Sequence, residues 1–149
     1  MTDKMILTLD TGDVAIELLT EKAPGHVARI KELADGGFYD DLTLHRVIDG
    51  FMAQMGCPKG NGMGGSEKPN LKAEFNDVSH QRGVCSMARS QNPDSANSQF
   101  FICFDDASFL DGQYTAWGRV TEGMEHVDAA NRGEPPAKPT KIIKFRSVD

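Results

Sequence analysis

Residues 42–55 read LTLHRVIDGFMAQM. Two apolar runs in this stretch flank an Asp-Gly pair at 49–50, which is a strong signal for a tight turn between antiparallel strands. We therefore expect a β-hairpin here. Its unusual residue is Arg46, a cation in an otherwise apolar strand. Arg46 alternates in phase with Leu42 and Leu44, so the pattern predicts that these three side chains point to one face.

Other strand-like and helix-like segments lie on both sides of this hairpin. Short apolar runs typical of strands occupy 5–9, 13–18, 83–87, 99–104, 115–120 and 141–148. Apolar residues at helical spacing behind Pro24 predict a helix over 23–35, and Thr121 is placed to cap a second short helix. Residues 56–82 show no period and are rich in Gly, Pro, Asn and Lys. A loop of that length inside a small protein tends to be functional.

These segments define the expected fold class. About eight strands and two helices, with no strand–helix alternation, favour a mainly β protein built on an antiparallel sheet. Closing that sheet would remove its open edges, so we expect a closed eight-stranded antiparallel β-barrel with two α-helices. The length of 149 residues is that of one domain. No repeat or linker divides the chain, and we expect a single domain over residues 1–149.

The composition is acidic and otherwise ordinary for a globular protein. Lys and Arg number 16 against 22 Asp and Glu, a formal net charge of −6. Nucleic-acid binding needs clustered cations, so no nucleic-acid partner is expected. No run of about 18 apolar residues is long enough to span a bilayer, and the first four residues do not resemble a cleaved signal. These features predict a soluble protein with no membrane partner.

The cysteines indicate a reducing compartment. There are three, at positions 57, 85 and 103, with no CxxC pair. A disulfide framework in a secreted domain usually has an even number of cysteines, so we expect a cytoplasmic protein. Cys85 and Cys103 lie in predicted strands and are expected in the core. Cys57 stands between Gly56 and Pro58 and is the one thiol that we expect to be exposed.

Several familiar chemistries are disfavoured. Residues 60–65 match G-x-G-x-x-G, but no helix is predicted after them to bind a pyrophosphate, so we interpret them as a flexible loop. The four histidines show no metal-ligand spacing. His26 and His126 fall on predicted helices, where we expect partly exposed polar residues. No Gly-x-Ser-x-Gly motif supports a serine hydrolase.

Arg46 leaves two interpretations open. It could form an ion pair with Asp40 or Asp49, or lie exposed at a sheet edge. It could instead present a guanidinium with its planar set of donors beside an apolar pocket. Further apolar clusters lie at 100–102 and 109–110, where we expect the phenylalanines to belong to the core.

The sequence resembles the cyclophilin family of peptidyl-prolyl cis–trans isomerases. The matching motifs are FYD at 38–40, LHRVIDGFMAQ at 44–54, GG at 64–65, GVCSMA at 83–88, NSQFFI at 97–102, FLDG at 109–112 and GRVTEGM at 118–124. They cover nearly the whole chain in the order of the family, and the run MAR at 87–89 is similar to the short bacterial type. The resemblance implies an eight-stranded barrel capped by two helices.

The resemblance also implies roles for individual residues. Arg46 matches the catalytic arginine, and Gln54 matches the polar residue beside it. The implied substrate-binding residues are Phe51, Met52, Ala88, Arg89, Gln99, Phe101, Phe109, Leu110 and Tyr114. The implied partners are Pro-containing peptides and unfolded or partly folded proteins, with no cofactor and no metal. The implied activity is isomerisation of X-Pro bonds to assist folding by a cytoplasmic monomer, and the alternative is a non-catalytic module that binds Pro-containing segments.

Three positions depart from the best-known eukaryotic members. Phe109 stands where many of them have a Trp whose indole N–H helps to bind cyclosporin, so we expect weak cyclosporin binding. Arg89 replaces a common Asn. Tyr114 replaces a common His, although its apolar body and hydroxyl can still form the rim of a pocket.

Overall fold

In a computed structural model of the chain, which describes residues 4–148, eight strands form one antiparallel sheet that curls into a half-barrel. The strands are β1 (Lys4–Leu9), β2 (Gly12–Leu18), β3 (Arg46–Ile48), β4 (Met52–Met55), β5 (Val84–Met87), β6 (Phe100–Cys103), β7 (Ala116–Glu122) and β8 (Ile142–Val148). Their order across the sheet is β3-β4-β6-β5-β7-β2-β1-β8. The mainly β, antiparallel fold class with two helices is therefore confirmed.

The two edge strands, β3 and β8, are joined through the chain that precedes β3. The N–H of Asp41 donates to the carbonyl of Ile142 at 2.8 Å, and the N–H of Leu44 donates to Thr140 at 2.9 Å. These bonds use main-chain groups that an open sheet would leave to solvent or to another chain. A few hydrogen bonds, and not a long strand ladder, therefore join the two edges of the half-barrel at this seam.

This seam also changes the expected strand around Arg46. Only Arg46–Ile48 forms β3, and residues 42–45 lie outside it. The strand alternation therefore does not extend back from Arg46. Leu44 is fully buried in the barrel core, whereas Arg46 lies on the outer face. The prediction that Leu42, Leu44 and Arg46 share one face is wrong for this reason.

Two α-helices pack on the sheet. The first, α1 (Pro24–Asp35), begins with Pro24 in its first turn and contacts β8 and β7. The second, α2 (Met124–Asp128), packs on β2. Its N-cap is Gly123 at φ 88°, with no side-chain cap, so the prediction that Thr121 caps this helix is wrong. A Cβ at Gly123 would lie 2.2 Å from the carbonyl oxygen of Asp13, and only glycine allows that approach.

The predicted loop over 56–82 contains no helix or strand apart from a single bridge between Leu71 and Ala96. No helix follows residues 60–65, in line with their interpretation as a loop. None of the helices within residues 4–148 is both long enough and apolar enough to span a membrane.

Two burial predictions are wrong. Cys57 is 0% exposed, because the following loop folds over it and the N–H of Gly64 lies 3.2 Å from its sulfur. His26 is also 0% exposed, because its Nδ1 is bonded to Glu74 across 48 residues of sequence. Cys85 and Cys103 are buried as expected.

Candidate active site

A cavity of about 130 Å³ opens on the outer face of β4 and β6. Its lining residues are Arg46, Phe51, Met52, Gln54, Ala88, Arg89, Phe101, Leu110 and Tyr114. All nine belong to the set implied by the resemblance. The two others lie beside it: Gln99 lines the adjoining groove, and the ring of Phe109 stands 5.7 Å from that of Phe51. The structure therefore brings all eleven residues to one surface.

Strand register explains why residues distant in sequence meet here. Arg46 pairs with Gln54, Gln54 pairs with Phe101, and Phe101 pairs with Ser86, across β3, β4, β6 and β5. Residues directly opposite in adjacent antiparallel strands point to the same face. The row therefore puts a cation, an amide and an aromatic ring side by side on the outside of the barrel. Phe100, one residue away from Phe101, points into the core.

The walls of the cavity form an apolar cluster that is separate from the barrel core. Met52 and Phe101 are buried at its base, at 2% and 4% exposure, and Phe51, Leu110 and Tyr114 pack around them. The rings of Phe101 and Tyr114 meet edge to face at 5.9 Å. Such a cavity suits a small apolar ring such as that of proline.

Polar groups form a directional hydrogen-bond chain along one rim. Arg46 Nε donates to Glu134 Oε1 at 3.0 Å, and Arg46 Nη1 reaches Gln54 Oε1 at 3.4 Å. Gln54 Nε2 donates to Gln99 Oε1 at 2.9 Å. Gln99 Nε2 then donates to the carbonyls of Gly62 and Gly64 at 2.9 and 2.8 Å. This series of hydrogen bonds connects the guanidinium of Arg46 to the loop over 56–82.

Neither acidic partner considered for Arg46 is its partner in the structure. Asp40 pairs with Arg146, and Asp49 pairs with Arg132. The guanidinium pairs with Glu134, which sequence reasoning missed. No local pattern signals this contact, because the two residues are 88 positions apart. Both side chains are partly exposed, at 44% and 57%, so the head group of Arg46 stays at the mouth of the cavity.

A second, more polar groove of about 430 Å³ adjoins the cavity. Its loop wall is held by Asn97, whose Oδ1 accepts from both the N–H and the hydroxyl of Ser66. Arg89 lies between the two spaces, donating to the carbonyls of Gln113 and Ser90, with its guanidinium 4.5 Å from the centre of the Tyr114 ring. Arg89 therefore shapes the wall between the groove and the cavity.

A trio of hydrogen-bonded polar residues, of which His80 and Ser86 are buried and Asp111 is partly exposed, lies behind the cavity, and sequence reasoning also missed it. His80 Nδ1 is 2.9 Å from Asp111 Oδ1, and His80 Nε2 is 2.8 Å from the Ser86 hydroxyl. The arrangement resembles the triad of a serine hydrolase, but Ser86 is 0% exposed and no substrate reaches it. The imidazole stacks on Phe101 at 6.3 Å, so the trio supports the cavity wall.

All three cysteines are buried, so their thiols offer no competing reactive centre. Burial raises the pKa of Cys103 to about 12 and that of Cys85 well above its usual value. Burial acts to raise the pKa of Cys57 too, but main-chain N–H groups, first that of Asn61, outweigh it and hold this pKa below its usual value. Within residues 4–148, no three His, Cys, Asp or Glu side chains group as a metal site.

Comparison with known proteins identifies the class. The model of the cyclophilin type peptidyl-prolyl cis-trans isomerase family matches residues 4–148. A probable peptidyl-prolyl cis-trans isomerase of Brucella suis is 51% identical over 156 residues, covering 94% of this chain and 80% of that one. Peptidyl-prolyl cis-trans isomerase B of Bacillus subtilis is 42% identical over 126 residues, covering 84% and 87%.

A solved structure agrees with these sequence relatives. A cyclophilin type isomerase of Cryptosporidium parvum, crystallised in the presence of the dipeptide Ala-Pro, superimposes with a TM-score of 0.91 at 26% identity. The match covers 98% of this chain and 99% of that one. The chain belongs to the cyclophilin-type family. Its activity is that of a peptidyl-prolyl cis–trans isomerase.

Proposed function

We propose that Arg46 accelerates rotation about the X-Pro bond by donating a hydrogen bond to the prolyl nitrogen while the amide is twisted. The observation that carries the proposal is that the guanidinium shares one small apolar cavity with Phe51, Phe101 and Leu110. The cavity holds the proline ring, and the rest of the amide turns. Gln54 accepts from Arg46 and keeps it against the cavity.

The energetics need no nucleophile and no base. Rotation about a peptide bond meets a barrier of about 18 to 20 kcal/mol because amide resonance is lost, and an unaided X-Pro bond takes about tens to hundreds of seconds to rotate. In the twisted state the nitrogen regains a lone pair, which a planar amide lacks. A donor aimed at that lone pair binds the transition state better than either isomer, and this difference is what lowers a barrier.

The size of the effect follows from one hydrogen bond. A bond to a charged group contributes about 1.5 to 3 kcal/mol. Since each 1.36 kcal/mol gives roughly tenfold in rate, Arg46 accounts for about one to two orders of magnitude. Desolvation in the apolar cavity and positioning of the peptide supply the remainder.

The adjoining groove gives the peptide a place to lie. Ala88 and Arg89 line both the groove and the cavity, and Gln99 lines the groove. We assign these residues to the peptide on one side of proline. The assignment is supported by the continuity of the two spaces and by the carbonyls of Gly62 and Gly64, which Gln99 holds in the groove wall.

The test is the variant Arg46→Ala, measured by exchange NMR or a protease-coupled assay on an X-Pro peptide. We expect kcat/KM to fall about ten- to a hundredfold with the unfolding transition retained, for the reason given above. The matched control is Arg119→Ala, which removes another partly exposed arginine ion pair, with Glu17, outside the cavity. Parent-level turnover by Arg46→Ala would refute the mechanism. A parent protein that binds the peptide without accelerating its exchange would establish the alternative, a non-catalytic binding module.

The wider role that we infer is assistance to protein folding in the cytoplasm. A cavity of about 130 Å³ has room for little more than the proline ring, so we expect many unfolded or partly folded chains to qualify as substrates. The three unpaired thiols suit a reducing compartment. Acceleration of a proline-limited refolding reaction tests the first inference, and recovery in the cytoplasmic fraction tests the second. A periplasmic or secreted location would overturn the latter.

We also propose that the protein acts as a monomer and binds cyclosporin weakly. The cavity and groove are lined by residues of a single chain, so catalysis needs no second copy. Light scattering that gave the mass of a dimer would contradict the monomer. The cyclosporin proposal rests on Phe109, which has no N–H donor in its side chain.

A further inference from the structure

Glu134 lies outside every motif that carried the family resemblance, yet it contacts the proposed catalytic cation. Two main-chain hydrogen bonds explain the position of Glu134. The N–H of Val47 donates to the carbonyl of Gly133 at 2.8 Å, and the N–H of Gly133 donates to that of Val47 at 2.9 Å. This is an antiparallel bridge, in which the residue after Gly133 stands beside the residue before Val47. Glu134 is thereby set against Arg46.

We propose that Glu134 is a positioning residue for Arg46 and holds the guanidinium in the orientation that meets the prolyl nitrogen. This inference rests on the proposed role of Arg46. The arginine side chain has many rotamers, and at 44% exposure the cavity walls alone do not hold it in one of them. Glu134 accepts from Nε and Gln54 accepts from Nη1, which fixes the plane of the guanidinium. Of its five N–H donors, three are then left for substrate and solvent.

The carboxylate of Glu134 is not needed to hold its own segment in place. Gly133 is already bonded to Val47 in both directions through the main chain. The N–H of Asn131 also donates to the Thr140 hydroxyl at 3.1 Å, and Asn131 Nδ2 donates to the carbonyl of Lys138. Removal of the Glu134 side chain therefore leaves this segment anchored and changes mainly the restraint on Arg46.

The experiment compares Glu134→Ala with Glu134→Gln. An exposed ion pair contributes up to about 1 kcal/mol, so we expect Glu134→Ala to lower kcat about three- to fivefold with KM within about twofold. Glu134→Gln keeps an oxygen that can accept from Nε and should retain at least about half of the parent kcat. The matched control is Glu122→Ala in β7, which removes an exposed carboxylate that lines neither the cavity nor the groove.

A spectroscopic readout separates positioning from general damage. The Nε–H resonance of Arg46 should shift in Glu134→Ala and stay close to its parent position in Glu122→Ala. In an Arg46→Ala background, Glu134→Ala should cause no further loss, because its effect passes through Arg46. Parent-level kcat in Glu134→Ala, an equal loss in Glu134→Gln, or an additive loss in the double variant would each overturn the inference. If Arg46→Ala itself keeps parent activity, it is instead the proposed mechanism that fails.

Discussion

At the scale of single residues, Phe109 marks the clearest chemical difference from members that carry Trp. Its side chain is 66% exposed at the rim of the cavity, against Phe51. A phenyl ring gives the rim apolar area but no donor, whereas an indole has an N–H. The position can therefore affect cyclosporin binding more than the rotation of a proline amide.

We predict that Phe109→Trp binds cyclosporin about two- to tenfold more tightly than the parent, because a new neutral hydrogen bond contributes about 0.5 to 1.5 kcal/mol. Titration calorimetry measures both affinities. Phe75→Trp serves as a matched control, since Phe75 is also a partly exposed phenylalanine but lines none of the described cavities. Nanomolar inhibition of the parent protein by the drug would show that the missing donor is unimportant.

At the scale of elements, the end of β4 lies in close contact with the segment that precedes β6. Gly56 follows β4 at φ 97°, and its carbonyl accepts from the Ser98 hydroxyl at 2.9 Å. A Cβ at this position would lie 2.5 Å from the carbonyl oxygen of Ser98 and 3.0 Å from the Tyr39 ring. Gly50 in the turn between β3 and β4 also has a positive φ, 73°, but a Cβ there would meet nothing within 4 Å.

These two glycines form a matched pair for one prediction. Gly50→Ala should lower the free energy of unfolding by about 1 kcal/mol, the cost of a left-handed backbone. Gly56→Ala should lower it by about 3 kcal/mol, because the collision with Ser98 adds to that cost. Urea unfolding of both variants measures the difference. Equal losses of unfolding free energy in the two variants would mean that the close packing of Gly56 against Ser98 does not contribute to stability.

At the scale of the whole molecule, two buried histidines make the stability of the fold depend on pH. His26 is 0% and His45 is 5% exposed. Burial lowers the pKa of both below its ordinary value, and the neighbouring Arg46 lowers that of His45 further. The folded protein thus binds fewer protons near pH 6 than the unfolded chain does. This contribution to stability is fully present above the ordinary pKa of about 6.5 and is lost as the pH falls below it.

We predict that the free energy of unfolding decreases from pH 7 to pH 5, by up to about 1.4 kcal/mol per pH unit for each histidine. Hydrogen bonding to Arg146 lowers the pKa of Asp40, and hydrogen bonding to Arg82 lowers that of Asp128. The stability that these two carboxylates contribute is therefore lost in a separate, more acid pH range. Urea unfolding at several pH values, with NMR titration of His26 and His45, checks the sign. A stability that stays constant from pH 7 to 5 would contradict it.

Much of the fold could be predicted, because turns and strands have local signatures. The Asp-Gly pair at 49–50 predicts the hairpin, and the aperiodic stretch 56–82 predicts the loop. The candidate site could not be predicted from local sequence patterns alone. Apolar runs could not tell Phe101, which lines the cavity, from Phe100, which lies in the core. Only the resemblance to a family separated them in the sequence.

The sequence by itself determined the mainly β class, the hairpins and the family. Each of these depends on residues within a few positions of one another, or on motifs in linear order. Only the tertiary structure decided that Glu134, and not Asp40 or Asp49, meets Arg46, and that Cys57 and His26 are buried. The contacts of Arg46 with Glu134 and of His26 with Glu74 join residues about 50 to 90 positions apart, and the burial of Cys57 depends on how the loop over 56–82 folds back over it. A local sequence pattern does not encode which distant residue becomes a contact partner, because those contacts form only when the whole sheet is assembled.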